Sequence, residues 1–193
     1  MTATNRRRSE SPRRRLQLLG AAAVVAAVVL GLYLGIRGRS GAGHTVTTSS
    51  RAGANGAARF HVTYPNDWKS VAVTQVAPQS GGLAALEQRA GLGLIIFRRT
   101  GSASHLDGAF VRNLDRELRR TTADYKPVGI KIINVSGEKA LLFTYLRTKK
   151  NELHNIVVVP AGDHSFTIAT ASSAASPKIA KEVGEIIHSF KLL

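Results

Sequence analysis

Ser102, Ser104 and His105 stand together in the stretch Gly101-Ser102-Ala103-Ser104-His105. Serine beside an imidazole is the pair that nucleophilic acyl transfer needs, because the hydroxyl attacks poorly until a base takes its proton. The stretch lacks the Gly-x-Ser-x-Gly elbow that would expose the oxygen on a sharp strand-to-helix turn. It runs instead into an amphipathic segment, where Ser104 with Asp107 resembles a helix-capping arrangement. Gly91-Leu92-Gly93 precedes a strand, whereas a dinucleotide-binding loop follows one and carries a third glycine, so it reads as a turn.

The six histidines, at 44, 61, 105, 154, 164 and 188, show no His-x-x-x-His spacing. To hold a metal, His61, His154 and His164 would have to converge across neighbouring strands, and surface positions on a sheet are the plainer expectation. Glu182 and Glu185 share a helix face and are expected to be solvated, and no carboxylate pair suited to glycoside chemistry stands out. No pattern calls for a cofactor. The chain has no cysteine, which excludes a disulfide framework and a thiolate metal site.

Arginine supplies the remaining candidate chemistry. Arg98 and Arg99 end a strand, and Arg112, Arg116, Arg119 and Arg120 lie on one helix. If they gather, they form an anion-binding surface for phosphate-bearing polymers. Nucleic acid is disfavoured as the partner, because its recognition also wants aromatic platforms. The eleven Phe, Tyr and Trp residues fall nearly all on expected core faces.

The formal net charge is +15. Residues 1–36 hold six Arg and one Glu, which leaves 21 basic and 11 acidic residues, a net +10, for the rest of the chain. The downstream part is therefore basic in its own right and drawn toward anionic lipid, envelope polymers or an acidic protein partner.

Leu16 to Ile36 reads LQLLGAAAVVAAVVLGLYLGI, 21 residues without a charge. As a helix at ~1.5 Å per residue it is ~31 Å long, close to the ~30 Å hydrocarbon thickness of a bilayer. A buried core helix would be shorter or amphipathic, and this segment is apolar all round. Six arginines precede it and Arg37 and Arg39 follow it, so the positive-inside rule puts the N-terminus in the cytoplasm and everything downstream outside it. The apolar run exceeds the ~7–15 residues of a cleavable signal, which favours an uncleaved, single-pass signal anchor. Pro12 to Leu16 also resembles a twin-arginine export signal. Gly31 and Gly35 form a small-xxx-small pair through which two such helices could dimerise.

The chain thus divides into a basic cytoplasmic tail (1–15), a transmembrane helix (16–36), a linker (37–57) and one extracytoplasmic domain (58–193). The linker is rich in Gly, Ala, Ser and Thr and is expected to be a flexible tether of ~25 Å root-mean-square span. In the domain, Phe60, Val62 and Tyr64 alternate with polar residues, which predicts a half-buried strand. Pro65-Asn66-Asp67 predicts a turn, and Trp68 opens a second strand running through Val71 and Val73, giving a hairpin with Trp68 over one end of the core. A short helix is expected around Leu83 to Ala90, then a strand from Gly93 to Arg99. Leu106, Phe110, Leu114 and Leu118 recur every four residues and predict a surface helix over Ser104 to Thr121. Four strands follow, at 128–135, 140–148, 153–159 and 165–171, separated by short turns and therefore antiparallel. Ser176 as N-cap and Pro177 at the first helical position start a last helix that buries Ile179, Val183, Ile186, Ile187 and Phe190. This order predicts an α+β fold, an antiparallel sheet flanked by helices.

Three motifs carry a resemblance to the PsbP-like family, named for a lumenal subunit of the photosynthetic oxygen-evolving complex. They are Phe60 to Trp68 with its Tyr64-Pro65 and Trp68 signature, Ser136-Gly137-Glu138-Lys139-Ala140 before a Leu-Phe-Thr-Tyr strand, and Ile186-Ile187-His188-Ser189-Phe190-Lys191. They frame roughly residues 58–192. The resemblance implies an α/β/α sandwich used for binding or assembly, generally without an active site, and carries over no binding residue and no photosynthetic role. The leading expectation is a membrane-anchored, non-catalytic extracytoplasmic binding or assembly module. The alternatives are an envelope hydrolase or ligand-processing enzyme, and a basic surface that adheres to anionic lipid or envelope polymer.

Overall fold

The structure is a computed structural model that describes residues 44–49, 59–101 and 106–193. The basic tail, the apolar segment 16–36 with Gly31 and Gly35, and most of the 37–57 linker lie outside the described residues. Among those described, no helix is long and apolar enough to cross a membrane.

Alternating strands build most of the domain. In chain order these are β1 (His44–Ser49), β2 (Arg59–Tyr64), β3 (Trp68–Val71), β4 (Gly82–Gln88), β5 (Gly93–Thr100), β6 (Tyr125–Val135), β7 (Glu138–Arg147), β8 (Glu152–Ala161), β9 (His164–Ser173) and β10 (Lys191–Leu192). Among the described residues three helices interrupt them: α1 (Val73–Val76), α2 (Gly108–Thr121) and α3 (Pro177–Ser189). Seven strands form one antiparallel sheet in the order β3-β4-β5-β9-β8-β7-β6, and β1-β2-β10 form a small second sheet.

The hairpins β6–β7, β7–β8 and β8–β9 follow from their turns. Ser136 and Gly137 adopt φ of 57° and 86°, Asn151 54° and Gly162 66°, the left-handed conformations that tight hairpins require. Register then fixes the faces. Leu142, Val157 and Ile168 look toward α3, while Leu141, Phe143 and Tyr145 look the other way. α3 forms as its sequence predicts: the Ser176 side chain accepts from Ile179 N, Pro177 opens the first turn, and the apolar stripe is no more than 2% exposed.

β2 and α3 share this core face with Phe60 at its centre. Its ring lies 5.1 Å from Phe97, 5.6 Å from Phe166 and 5.0 Å from Phe190, and all four rings are essentially fully buried. Burying each ring contributes roughly 1.5–3 kcal/mol, and each tilted pair adds about 0.5–1.5. On the opposite face α2 lies against the β6 end, through Asp115 and Arg119 on Tyr125, whose ring reaches Tyr145. Asp107 caps α2 by accepting from Ala109 N and Phe110 N. The helix stripe is only half-buried, so α2 is a loosely docked element.

The fold is α+β on an antiparallel sheet, with three local corrections. β2 and β3 do not form a hairpin: Trp68 N bonds Pro65 O at 3.0 Å and the turn carries the chain from one sheet to the other, β3 pairing β4. Both strands still face one core, which is why their alternation looked like that of a pair. Residues 82–88 are a strand, not a helix, because pairing on both sides outweighs the helix preference of Ala84 and Ala85. Val73 starts the single turn α1 rather than continuing β3. Within the expected tether, β1 pairs antiparallel with β2. Its sequence HTVTTS is β-branched at four of six positions, which suits a strand.

Candidate binding groove

A groove of about 510 Å³ opens between the β4–β5 turn, the β7–β8 turn and α1. That volume falls within the range of small-ligand sites. Val76, Leu92, Leu94 and Ala171 give it apolar lining, Asn151, Ser172 and Ser173 polar lining, and Glu87, Lys150 and Glu152 charge. Leu92 is held out by the turn between Gln88 and Gly93, where the Gln88 side chain accepts from Ala90 N and Leu92 N, and Gly91 sits at φ 72°. Leu92 is 44% exposed, an uncovered large apolar side chain at the groove mouth. The two carboxylates are already engaged: Glu87 with Lys69 at 3.1 Å, Glu152 with His154 Nε2 at 3.2 Å.

Glu152 links the groove to a polar aromatic cluster on the same face of the sheet. His154 stacks on Tyr145 at 4.8 Å and 17°, and Tyr145 meets Tyr125 at 5.3 Å. Burial pushes the His154 imidazole below its ordinary value, against the opposing pull of Glu152, so the ring is neutral near pH 7. Burial likewise raises the Tyr145 phenol. Burial raises Tyr125 as well, assisted by its hydrogen bond to Asp115. Asp115 is held below the usual carboxylate range by the Arg119 guanidinium and the Tyr125 hydroxyl. At the hairpin base Asp124 accepts from Lys149 N at 2.7 Å and pairs with Arg147 at 3.2 Å. These phenols stay protonated and the imidazole is stacked rather than aimed at a hydroxyl. The groove and this cluster offer apolar contact and a few polar anchors.

Of the predicted arginines, Arg98 and Arg99 lie on β5 and the other four on α2. Arg98 and Arg99 are successive β5 residues and point to opposite faces of the sheet. Arg98 Nε is buried without a hydrogen-bond partner among the described residues. Arg119 and Arg120 are bound to Asp115 at 2.8 Å and Glu117 at 2.6 Å, and Arg116 reaches Asn113. Arg112 and Arg116 are exposed along α2. Tyr64 and Trp68 are buried and flank the half-buried Pro65, whose carbonyl accepts from Trp68 N.

His61 lies in the small sheet, and His154 and His164 sit at opposite ends of the β8–β9 hairpin. Among the described residues no cluster of three metal-ligating side chains occurs. Ser102 and His105 lie outside the described residues. Glu182 corrects an expectation of solvation: it is 8% exposed and accepts from Trp68 Nε1 at 2.9 Å. A helix turn toward Trp68 places it there, which face-sharing with Glu185 alone does not reveal.

Two polar features depend on pairing between strands. Tyr145 meets His154 only through the β7–β8 register. Thr144, Asn155 and Thr170 form a buried ladder across three strands, with Thr144 Oγ1 donating to Asn155 Oδ1 at 2.9 Å and Asn155 Nδ2 to Thr170 Oγ1 at 3.1 Å. The spacing Glu152-x-His154 on one strand face was the available hint.

No protein-family model matches the chain, and no curated protein matches it. Solved structures do. Cyanobacterial PsbP (CyanoP) from Synechocystis sp. PCC 6803 superposes with a TM-score of 0.55 at 13% identity, over 83% of this chain and 99% of that one. LpqN of Mycobacterium tuberculosis, described as involved in cell envelope biogenesis, gives a TM-score of 0.48 at 17% identity, over 77% and 91% of the two chains. The first likeness spans the whole of CyanoP and agrees with the antiparallel topology: the chain has a PsbP-like fold.

Proposed function

We propose that this chain is a non-catalytic binding or assembly module, anchored by residues 16–36 in the cell membrane with its folded domain outside the cytoplasm. The charge-free segment behind six arginines supports the placement. The observation that carries the binding role is the groove, whose lining is part apolar with Leu92 exposed, while its carboxylates are partnered. Its occupant is a protein segment or an anionic component of the envelope, the latter favoured by the net +10 downstream of the membrane segment. Self-association through Gly31 and Gly35 would double the groove's valency.

A photo-crosslinking residue placed at Leu92 of the full-length chain in its native membrane tests the groove. A discrete cross-linked product, absent when the same residue replaces Lys181 on α3, is expected. Identical product patterns at the two positions would refute a role for the groove.

A further inference from the structure

The seven-stranded sheet has two edges, β3 and β6. β3 is four residues long, its Lys69 is paired with Glu87, and the chain turns into α1 just beyond it. β6 is eleven residues long and is exposed at every position from Lys126 to Ile132. Val128, Ile130 and Ile132 are 38, 47 and 57% exposed. An edge strand leaves a row of backbone N–H and C=O groups unpaired, and proteins normally blunt it with proline, bulges or inward charges. Here the proline and the bulge, between Pro127 and Gly129, lie at the start of the strand. Ile130 to Val135, IKIINV, holds neither proline nor glycine and one charge, a composition that pairs readily with another strand.

Charge and register define the occupant. β6 contains no acidic residue, and neither Lys126 nor Lys131 forms an ion pair among the described residues. Lys126 stands opposite Leu146 and Lys131 opposite Leu142, which puts both lysines on one face of the sheet. Ile130 and Ile132 stand opposite Phe143 and Leu141, on the other face. A second copy would bring the same lysines and its own +10, which repel at long range. We infer that β6 receives an extended acidic segment of a partner protein as an eighth strand. Its carboxylates meet Lys126 and Lys131 on one face, and its apolar β-branched side chains lie beside Ile130 and Ile132 on the other. This site is distinct from the groove.

The test uses the full chain in detergent micelles and a fluorescent eight-residue peptide alternating valine with glutamate. Anisotropy should report binding that weakens with salt, and hydrogen exchange should slow at the amides of residues 130–134. Two control peptides, alternating valine with lysine or with the four valines and four glutamates segregated, should bind at least about tenfold more weakly. Lys131→Glu and Ile132→Asp should each cost about tenfold or more, with Trp68 fluorescence confirming the fold. Absence of binding to the folded chain, binding indifferent to these variants, or equal binding of the controls would overturn the inference. So would a peptide-free dimer that Ile132→Asp dissociates, because the edge would then belong to a second copy.

Discussion

The indole Nε1 of Trp68 donates to the carboxylate of Glu182 at 2.9 Å, joining the first strand of the large sheet to the last helix across 114 residues of sequence. Lys178, bound to Asp67 at 2.6 Å and 3.5 Å from Glu182, extends the link to the turn before β3. A buried carboxylate is tolerated only where hydrogen bonds and charge replace its water, and here Trp68 supplies the hydrogen bond and Lys178 the charge. Glu182→Ala removes the acceptor and leaves the indole N–H unsatisfied, which should destabilise the domain by about 1–3 kcal/mol. Denaturant unfolding followed by the fluorescence of Trp68, the single tryptophan, measures it, and Glu182→Gln should recover part of the loss.

Gly93 is fixed by the same indole. A Cβ there would lie 2.7 Å from Trp68 Cη2 and 3.1 Å from Ile179 Cγ2, both in the packed core. Gly93→Ala should therefore cost about 1–3 kcal/mol by overpacking. Gly101→Ala, with nothing among the described residues within 4 Å of the added carbon, is the control and should leave the midpoint nearly unchanged.

Acidification should weaken the domain through His154. Its folded value is depressed by burial from an ordinary 6.5, so the unfolded chain takes up the proton first. The stabilisation is complete above about 6.5 and is lost as pH falls from there toward the lower folded value. His154→Phe keeps a ring against Tyr145 and has no proton to gain. Unfolding midpoints between pH 7.5 and 5 should fall for the wild type and fall less for the variant.

Asn155 is 1% exposed and completes the ladder between Thr144 and Thr170. Asn155→Val leaves the buried Thr144 hydroxyl without its acceptor, while Thr170 Oγ1 keeps only the backbone N–H of residue 155, and should cost about 1–3 kcal/mol. Replacing Thr144 together with Asn155 by valine should cost less than the single change, since the Thr144 hydroxyl is then absent and Thr170 Oγ1 still accepts from the backbone N–H of residue 155.

Features whose cause is local were legible in the sequence. Ser176-Pro177 and the Ile179-to-Phe190 stripe specify α3, and the Ser136-Gly137 and Ala161-Gly162-Asp163 turns specify their hairpins, because a few adjacent residues decide each. Partnership between distant segments was not legible. The alternation of Phe60, Val62 and Tyr64 shows that β2 buries one face but not that its neighbours are β1 and β10. Leu83 to Leu86 is small and helix-prone in isolation, and only β3 and β5 on either side make it a strand. The groove belongs to this second class. Leu92, Glu152 and Ala171 are brought together by register, whereas the six arginines, grouped by sequence, are divided between two faces of a sheet and a helix on which Arg119 and Arg120 are held by Asp115 and Glu117.

Membrane anchorage with an external domain is tested most directly by protease treatment of intact spheroplasts expressing the full-length chain. The account predicts that the chain sediments with membranes and that added protease removes the domain without lysis. Full protection until the membrane is broken, or recovery of the chain in the soluble fraction, would contradict it.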